Sequence, residues 1–590
     1  MNYELNAEQN KKKISAWAAI RGLWPLLSGE RSILIYAGFA TLANSLVNLI
    51  APLLIAHVVD TYIVAKQFSG VLTFASILLG LYLFGLGTSY GQTRLMGGVG
   101  QRVLFNLRTK IFGKLQELPV AFFNANKAGD LISRINNDTD KLNQFFSQTL
   151  VQFVGSIVIM VGAAIFLLSI NFKLGAAALA PAVALFFFTR ILSPWVKRTN
   201  AASMTSTGDL SAEVSESLNN FKVVVAFNRR DFFRKRFEVA NDGNYKSAVS
   251  AGVANNVFTP VFGFSSNLAQ LIVLAYGVHL ISTGNFSLGL LIGFLSYVSN
   301  FYNPLRQLAA LWSNFQVALA GWDRISAILQ MHGEMVTVPI SEIGTVEKQS
   351  SSTLLEFKDV SFRYTEDKEV LHHVNFILER GKTYALVGPT GGGKTTTASL
   401  MARLYDPSAG AVLLGGRDIR TFDAVERTHK IGFILQEPLL FSGTVRENIL
   451  YGNEKYKDFS SEKLVGVIHA AGLESLLVRF EGGLEAKVAT SGDALSLGQK
   501  QLIAFMRAVL REPELLILDE ATANIDTVTE QLLEDILKKL PKTTTLVIIA
   551  HRLNTIENAD EIFFVNAGEI IRAGSMEHAV EMLLHGKRDS

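Results

Sequence analysis

Long apolar segments dominate the first 325 residues of the chain, whereas short apolar runs broken by charges and glycines follow from about residue 353. A bilayer hydrocarbon core about 30 Å thick is crossed by about 20 mostly apolar residues of helix. Six segments meet or approach this length, and we interpret them as transmembrane helices rather than as buried helices of a soluble protein. They are residues 33–58, 71–90, 150–170, 174–192, 258–282 and 287–311.

This change of pattern divides the chain into two domains. Residues 1–325 are predicted to form a transmembrane domain, residues 326–353 a linker, and residues 354–590 a soluble domain.

Lysine and arginine are distributed unevenly among the connections between the six segments. The first and third connections carry only Lys66 and Lys173 and the fifth carries none, whereas the second carries eight and the fourth nine. Connections that carry an excess of Lys and Arg near the ends of the spans usually stay in the cytoplasm. Both chain ends, the two long connections and the soluble domain are therefore predicted to be cytoplasmic. The protein is then a multi-pass protein of the cell (inner) membrane. Helical spacing in the long connections predicts helices that continue far into the cytoplasm.

The N-terminal region is amphipathic. Residues 14–27 carry Trp17 and Trp24 beside Arg21, a pattern typical of a helix that lies on the inner membrane surface. Membrane lipid is therefore an expected partner. The polar start of the chain lacks the apolar core and the cleavage site of a signal peptide.

Composition excludes several classes of function. The net charge of +3 is small and no basic–aromatic groove motif occurs, so no nucleic-acid partner is expected. The chain contains no cysteine, which rules out disulfides, thiolate zinc sites and a cysteine nucleophile.

A glycine-rich phosphate-binding motif follows a predicted strand at residues 383–388. The sequence Gly-Pro-Thr-Gly-Gly-Gly-Lys-Thr fits G-x-x-x-x-G-K-[ST] and leads into a helical stretch at residues 396–404. Glycines let backbone N–H groups wrap a phosphate chain, and the helix N-terminus adds a favourable field. Lys394 can reach the β- and γ-phosphates, and the Thr395 hydroxyl can ligate Mg²⁺. The predicted nucleotide-binding residues of this motif are Gly388, Thr390, Gly391, Gly392, Gly393, Lys394, Thr395 and Thr396.

Two carboxylates end another apolar strand. The apolar run 515–518 predicts a buried parallel strand, and Asp519 and Glu520 follow it at the edge where open α/β sheets bind ligands. Asp519 suits a metal-bound water and Glu520 suits the base that activates an attacking water, although a surface acidic pair would look the same in isolation. A third strand, 545–550, ends in His551. A lone histidine in that place is more often a core residue than a functional one.

These motifs lie in the order of a known family. Leu495-Ser496-Leu497-Gly498-Gln499 resembles the signature sequence of ATP-binding cassette (ABC) transporters and lies between the two phosphate motifs, as it does in that family. Tyr364 looks like the aromatic residue that stacks on adenine, and Gln436 resembles the Q-loop glutamine. Residues 523–526 resemble the D-loop, and His551 the switch histidine. In the membrane half, residues 122–138 and 217–227 are similar to the two coupling regions of exporters.

Nearly the whole chain is similar to a half-transporter of the bacterial multidrug and lipid exporter type. The resemblance implies a multidomain fold: an all-α six-helix transmembrane domain followed by an α/β P-loop ABC ATPase domain. It also implies that two chains pair, with each ATP held between one chain's phosphate motif and the other chain's signature. The resulting assignments are Glu520, His551 and Gln436 as catalytic residues, Tyr364, Ser496, Gly498 and Gln499 as further ATP contacts, and Thr395, Gln436 and Asp519 as Mg²⁺ ligands.

Two positions depart from the family pattern. Leu497 stands at the third signature position, where glycine is common, and Thr490 stands where many exporters carry a glutamate. Thr490 cannot supply the charge that contacts the coupling helices, so apolar packing by Phe122, Phe123, Phe221 and Phe227 is expected to contribute more to coupling.

The predicted function is ATP-driven export of a hydrophobic or amphipathic solute, drug-like or lipid-like, by a dimer that alternates between inward- and outward-facing states. The second half-transporter is an identical chain in the preferred hypothesis and a different chain in the alternative. An ATP-gated channel or regulator and an uptake system built on the same fold are the rival functions. Candidate cavity residues, each of which helix packing would also explain, are Asn44, Asn48, Phe186, Phe187, Asn267, Gln270, Tyr297, Asn300, Tyr302 and Trp312.

Overall fold

The structure is a computed structural model. It describes residues 3, 5, 24–331, 333, 337–339, 352–365, 368–489, 495–519, 527–549, 559–574 and 576–585. The described residues group into two compact units. The membrane unit comprises those in 24–113 and 131–329. The cassette unit comprises residues 3 and 5, those in 114–130, and those from 330 onward.

Eleven α-helices are described before residue 331. Several are joined by short π-helical turns, at Val59–Ile63, Arg134–Asp138 and Phe145–Thr149. The α-helices are α1 (Arg31–Val58), α2 (Phe68–Gln116), α3 (Val120–Ala125), α4 (Ala128–Ser133), α5 (Thr139–Gln144), α6 (Leu150–Ile170), α7 (Phe172–Asn219), α8 (Phe221–Ala226), α9 (Arg230–Asn256), α10 (Phe258–Ser282) and α11 (Leu288–Gln330).

Five helical stretches among the described residues have the length and hydropathy of a membrane span. They contain the first five predicted segments, and the sixth lies within α11 except for its first residue. The two long connections are helical, as predicted, because α2 and α7 continue more than 20 residues beyond their apolar segments and α9 follows. The five stretches are Leu27–Ile63, Phe68–Gln116, Ala128–Ile170, Phe172–Asn219 and Arg230–Ser282.

The two ends of the predicted membrane domain are partly described. Most of the predicted interfacial helix, residues 14–27, lies outside the described residues, and its last part belongs to a 3₁₀-helix, Trp24–Glu30, that leads into α1. At the other end, α11 continues to Gln330 and so includes the first five residues of the predicted linker.

Two tyrosine hydroxyls on α11 donate hydrogen bonds to other helices of the membrane unit. The Tyr297 hydroxyl on α11 donates to the Leu49 carbonyl oxygen on α1 at 2.5 Å, and the Tyr302 hydroxyl donates to the Ala178 carbonyl oxygen on α7 at 3.0 Å. Both side chains are buried in an apolar cluster, and Phe166 stacks on Tyr297. In a membrane such a hydroxyl needs an internal partner. The helix-packing alternative is therefore the correct interpretation of these two candidate cavity residues.

The described part of the cassette unit contains three β-sheets and eight further α-helices. One sheet has the order β2-β1-β4-β5, a second β12-β11-β3-β10-β9-β6, and a third is the pair β7-β8. The strands are β1 (Thr353–Thr365), β2 (Lys368–Glu379), β3 (Thr383–Val387), β4 (Ala409–Leu414), β5 (Arg417–Asp418), β6 (Ile431–Ile434), β7 (Gly443–Thr444), β8 (Lys487–Val488), β9 (Leu515–Asp519), β10 (Thr545–Ile549), β11 (Glu561–Asn566) and β12 (Glu569–Arg572). The helices are α12 (Lys394–Met401), α13 (Ala424–Lys430), α14 (Val445–Ile449), α15 (Ser461–Ala470), α16 (Glu474–Leu477), α17 (Leu497–Val509), α18 (Thr527–Lys538) and α19 (Met576–His585).

The six-stranded sheet is covered on both faces. Strands β3, β10, β9 and β6 pair in parallel, and along β9 the side chains alternate between two apolar clusters. Leu515 and Ile517 pack toward the antiparallel four-stranded sheet, whereas Leu516 and Leu518 pack toward the helices that include α17. This burial explains the unbroken apolar runs. It also places the C-terminal ends of β3 and β9 at one edge of the sheet, with only β10 between them.

Candidate nucleotide-binding site

The loop between β3 and α12 has a backbone that only glycine adopts readily. Gly388 has φ +146° and Gly393 has φ +116°, both in the region that side chains disfavour. A Cβ atom on Gly388 would lie 2.0 Å from the carbonyl oxygen of Val565 on β11. The glycines predicted to wrap phosphate are thus required by the loop's own geometry.

The side chain of Lys394 is held inside this loop. Only 5% of the residue is exposed, and its Nζ donates to the carbonyl oxygens of Gly388 and Pro389 at 2.8 and 3.0 Å. An ammonium group fixed in this position requires little side-chain ordering when an anion enters the loop. The geometry suits the recognition of a phosphate chain.

Thr395 and Asp519 form the oxygen pair that a magnesium ion requires. The Thr395 Oγ1 and Asp519 Oδ1 atoms are 3.4 Å apart, and Asp519, at the end of β9, is only 2% exposed. Mg²⁺ prefers oxygen ligands and is often held by one or two protein side chains together with substrate phosphates. These donors fit that ion. Bound there, Mg²⁺ would neutralise charge on the phosphates.

Gln436 lies at the same edge of the sheet. It is the second residue after β6, and β6 pairs with β9 in parallel. Its side chain is exposed. The topology therefore brings the end of β6 to the edge that carries the Thr395–Asp519 pair.

Tyr364, near the end of β1, presents a half-exposed ring. Its hydroxyl is 2.9 Å from Thr396 Oγ1 on α12, and Phe362 and Tyr405 contact the ring edge-on. Burial of the hydroxyl raises the pKa of the Tyr364 phenol above its ordinary value, so the phenol is neutral at physiological pH. A ring anchored at its hydroxyl with 47% of the residue exposed can stack on a flat base.

The signature residues form the N-terminus of α17. Ser496 is the N-cap, and a reciprocal capping box joins it to Gln499 at 3.2 and 3.0 Å. The Gln499 side chain also donates to the Arg479 carbonyl oxygen at 3.0 Å. The Gln499 side chain therefore stabilises the N-terminus of α17, a structural role that the signature pattern did not predict. Gly498 follows in the first turn, where the helix dipole favours an anion.

Several predicted residues lie outside the described part of the chain. These are Glu520, His551, the predicted D-loop at residues 523–526, and Thr490. Their roles stay predictions.

Residues 122–130 of the first coupling region belong to the cassette unit. On α3 the Phe122 side chain is fully buried, with Phe123 edge-on to it. The Asn124 Nδ2 donates to the hydroxyl oxygen of Tyr405 at 2.6 Å. Tyr405 in turn contacts the Tyr364 ring, with ring centroids 5.1 Å apart. Sequence reasoning missed Tyr405, because a single tyrosine in a turn after α12 carries no motif.

In the second coupling region the phenylalanine side chains are exposed within one chain, unlike Phe122 in the first. Phe221 on α8 is exposed, Phe227 just after it is 74% exposed, and Val224 is buried. Of the four phenylalanines expected to pack at coupling regions, Phe122 alone is buried in the described structure.

Comparisons with known proteins agree with this architecture. The family model of the ABC transporter transmembrane region matches residues 34–305, and the ABC transporter model matches residues 371–523. An uncharacterized ABC transporter ATP-binding protein of Bacillus subtilis (strain 168) is 32% identical, covering 97% of this chain and 94% of the relative. A fatty acid ABC transporter ATP-binding/permease protein of Mycobacterium bovis is 33% identical, covering 86% of this chain and 79% of the relative. A bacterial Atm1-family ABC exporter solved with ATP bound has a TM-score of 0.76 at 24% identity, covering 95% of this chain and 99% of that one.

The predictions of family, fold class, membrane location and ATP binding are confirmed. A helical transmembrane domain precedes an α/β nucleotide-binding domain, in the fold of the Atm1-family exporter. The ATPase domain couples ATP hydrolysis to transport. The chain belongs to the ABC transporters, as a half-transporter in which one transmembrane region is fused to one ATPase domain.

Proposed function

We propose that two identical copies of this chain form an exporter that moves hydrophobic or amphipathic solutes, drug-like or lipid-like, out of the cytoplasm. ATP hydrolysis supplies the free energy, with Mg²⁺ as the cofactor. The observation that carries the proposal is the preorganised set Lys394, Thr395 and Asp519 on one chain. The same chain also carries the capped signature helix that a partner would need. Relatives are named as fatty acid and multidrug transporters, which supports this substrate class. We place both chain ends and the ATPase domain in the cytoplasm.

The chemistry is divided among few side chains. Lys394 orients the β- and γ-phosphates, Thr395, Asp519 and Gln436 would hold Mg²⁺, and Glu520 accepts the proton of the attacking water. Such phosphoryl transfer depends mainly on positioning and on charge stabilisation. Ser496 and Gly498 would contact the nucleotide of the partner, while His551 would contact the γ-phosphate.

Transport in proteoliposomes tests the function. The chain expressed alone should take up a lipophilic dye or a labelled fatty acid into inside-out vesicles when MgATP is outside. Uptake in the opposite orientation would indicate the uptake system, and passive, ATP-gated flux without accumulation would indicate the channel. ATPase-silent protein that becomes active only with a second gene product would contradict the homodimer.

Disulfide crosslinking tests the pairing, because the chain has no cysteine of its own. A mixture of Thr390→Cys and Leu497→Cys chains should form a crosslinked dimer under mild oxidation, since each phosphate loop is expected to face the partner's signature. Either variant alone is the matched control and should stay largely monomeric on a denaturing gel. Equal crosslinking in the single-variant samples would contradict this arrangement.

The Asn124–Tyr405 hydrogen bond offers a test of coupling. Asn124→Ala and Tyr405→Phe each remove it, and a net value of about 0.5–1.5 kcal/mol for a hydrogen bond predicts transport per ATP hydrolysed about 2- to 10-fold lower. Because both changes remove the same hydrogen bond, transport per ATP hydrolysed should be no lower in the double variant than in either single variant.

Tyr451→Phe is the matched control for that experiment. Tyr451 is an exposed cassette tyrosine whose hydroxyl makes no hydrogen bond within the described residues, so its loss should leave the transport ratio unchanged. Additive losses in the double variant would mean that the two residues act separately.

A further inference from the structure

One face of α11 is polar along the part that lies in the sixth predicted span. Ser296, Ser299, Asn300, Asn303, Arg306 and Gln307 fall within a sector of about 120° at 100° per residue. We call these six residues the polar stripe. Asn303, Arg306 and Gln307 are exposed, while Phe294, Tyr297 and Val298 on other faces are buried.

The stripe is flanked by two other helices of the membrane unit. The Asn300 Nδ2 donates to the Asn48 carbonyl oxygen on α1 at 3.0 Å, and the Gln270 Nε2 on α10 lies 3.4 Å from Ser299 Oγ. These contacts involve Ser299 and Asn300, in the N-terminal half of the stripe. In the described part of the chain, the side chains of Asn303, Arg306 and Gln307 make no hydrogen bond or ion pair, and their donors remain available.

Arg306 lies near the C-terminal end of the sixth predicted span. It follows Leu288 by 18 residues, or about 27 Å along a helix, and the hydrocarbon core is about 30 Å thick. Polar groups facing lipid there would be costly, and ionisable residues in membrane segments usually face a water-filled cavity or a partner. A polar stripe through the middle of a span is typical of a helix face that lines a water-filled cavity.

The charge of Arg306 has no counterpart in the membrane. Among Asp, Glu, Lys and Arg, the six predicted spans contain only Arg190 and Arg306. A second copy of the chain brings the same spans, so it also supplies no carboxylate there. A cavity with fixed positive charge and no fixed negative charge favours an anion.

Arg190 has a different setting at similar depth. It follows Phe172 by 18 residues on α7, and Val183, Phe186 and Phe187 are exposed in the preceding turns. An arginine among exposed apolar side chains near the end of a span extends toward the lipid headgroups. It therefore serves as the matched control for Arg306.

We infer that the polar stripe is the binding site for the head of an amphipathic anion, with a carboxylate or phosphate head and an apolar body. The Arg306 guanidinium can hold two oxygens of such a head with a fork of donors, and the Asn303 and Gln307 amides can donate to it. The apolar body would lie against the surrounding spans. This inference rests on the proposed export function and narrows its substrate class.

Binding to the full-length protein in lipid nanodiscs tests the inference. The probes are oleate, lysophosphatidate, the neutral oleamide and a lipophilic cation. Arg306→Ala should weaken oleate and lysophosphatidate binding by about 10- to 100-fold, the range of one charge-assisted hydrogen bond. It should change oleamide binding by less than about 2-fold. Arg306→Lys should restore part of the affinity, and Arg190→Ala should match the parent.

Three results would overturn the inference: binding of neither oleate nor lysophosphatidate by the parent, equal losses of affinity for the anions and for oleamide in Arg306→Ala, or equal losses in Arg306→Ala and Arg190→Ala. A response to lysophosphatidate alone would assign the site to phosphate heads. Transport separates the two proposals. If anion binding depends on Arg306 but no ATP-driven transport occurs, the export function is wrong and the inference stands. If oleamide or the cation is exported with ATP while oleate binding is unaffected by Arg306→Ala, the inference is wrong and the export function stands.

Discussion

Replacing Glu520 by glutamine is expected to lower ATP turnover by about 10²- to 10⁴-fold, the usual contribution of a general base. ATP binding should persist, because the phosphate loop and its lysine are untouched. Glu520 follows Asp519 in the sequence, and Asp519 ends β9 beside Thr395. For this reason Glu520 is the proposed acceptor of a proton from the attacking water. The measurements are steady-state ATPase activity and equilibrium binding of a fluorescent ATP analogue.

Glu462→Gln is the matched control for this experiment. Glu462 is an exposed glutamate in the first turn of α15, so the same loss of charge there should leave turnover within about 2-fold of the parent, as expected for surface substitutions. If Glu520→Gln hydrolyses ATP at a near-parental rate, another group accepts the proton.

The phosphate-binding part of the site could be predicted because its residues are local in sequence. One strand, one glycine loop and one helix place Lys394 and Thr395, and the buried run of β9 delivers Asp519 to the same edge. Parallel strands bring their C-terminal ends together. The order of the motifs along the chain was therefore sufficient to predict that Lys394, Thr395 and Asp519 lie close together.

Contacts between distant segments could not be predicted in the same way. Asn124 and Tyr405 are separated by 281 positions, and neither belongs to a periodic pattern. The capping box shows a similar limit. The signature pattern predicts Gln499 as a nucleotide contact, but it does not reveal that the Gln499 side chain also accepts from the Ser496 N–H at the start of α17. Apolar windows located the spans, but they could not distinguish cavity residues from packing residues such as Tyr297, whose hydroxyl partner is a backbone carbonyl.

Replacing Lys394 by alanine is expected to lower ATP affinity by about 10- to 100-fold, the value of a charge-assisted hydrogen bond. Turnover should fall by about 10²- to 10³-fold, as when one donor to developing charge is removed. The reason is positional: the Nζ atom is held by the Gly388 and Pro389 carbonyl oxygens inside a loop that is ready for an anion. Calorimetric titration with ATP and ATPase assays on the same preparation measure both effects.

Two further variants separate the charge from the shape of the loop. Lys394→Gln keeps a donor for the loop carbonyls but loses the charge, so it should bind ATP nearly as weakly as Lys394→Ala if the ammonium itself contacts phosphate. Lys457→Ala removes an exposed cassette lysine that pairs only with Glu454 in the described structure, and it should match the parent. Near-parental affinity in Lys394→Gln would mean that Lys394 only supports the loop backbone, and that phosphate is held by the backbone N–H groups and the helix N-terminus.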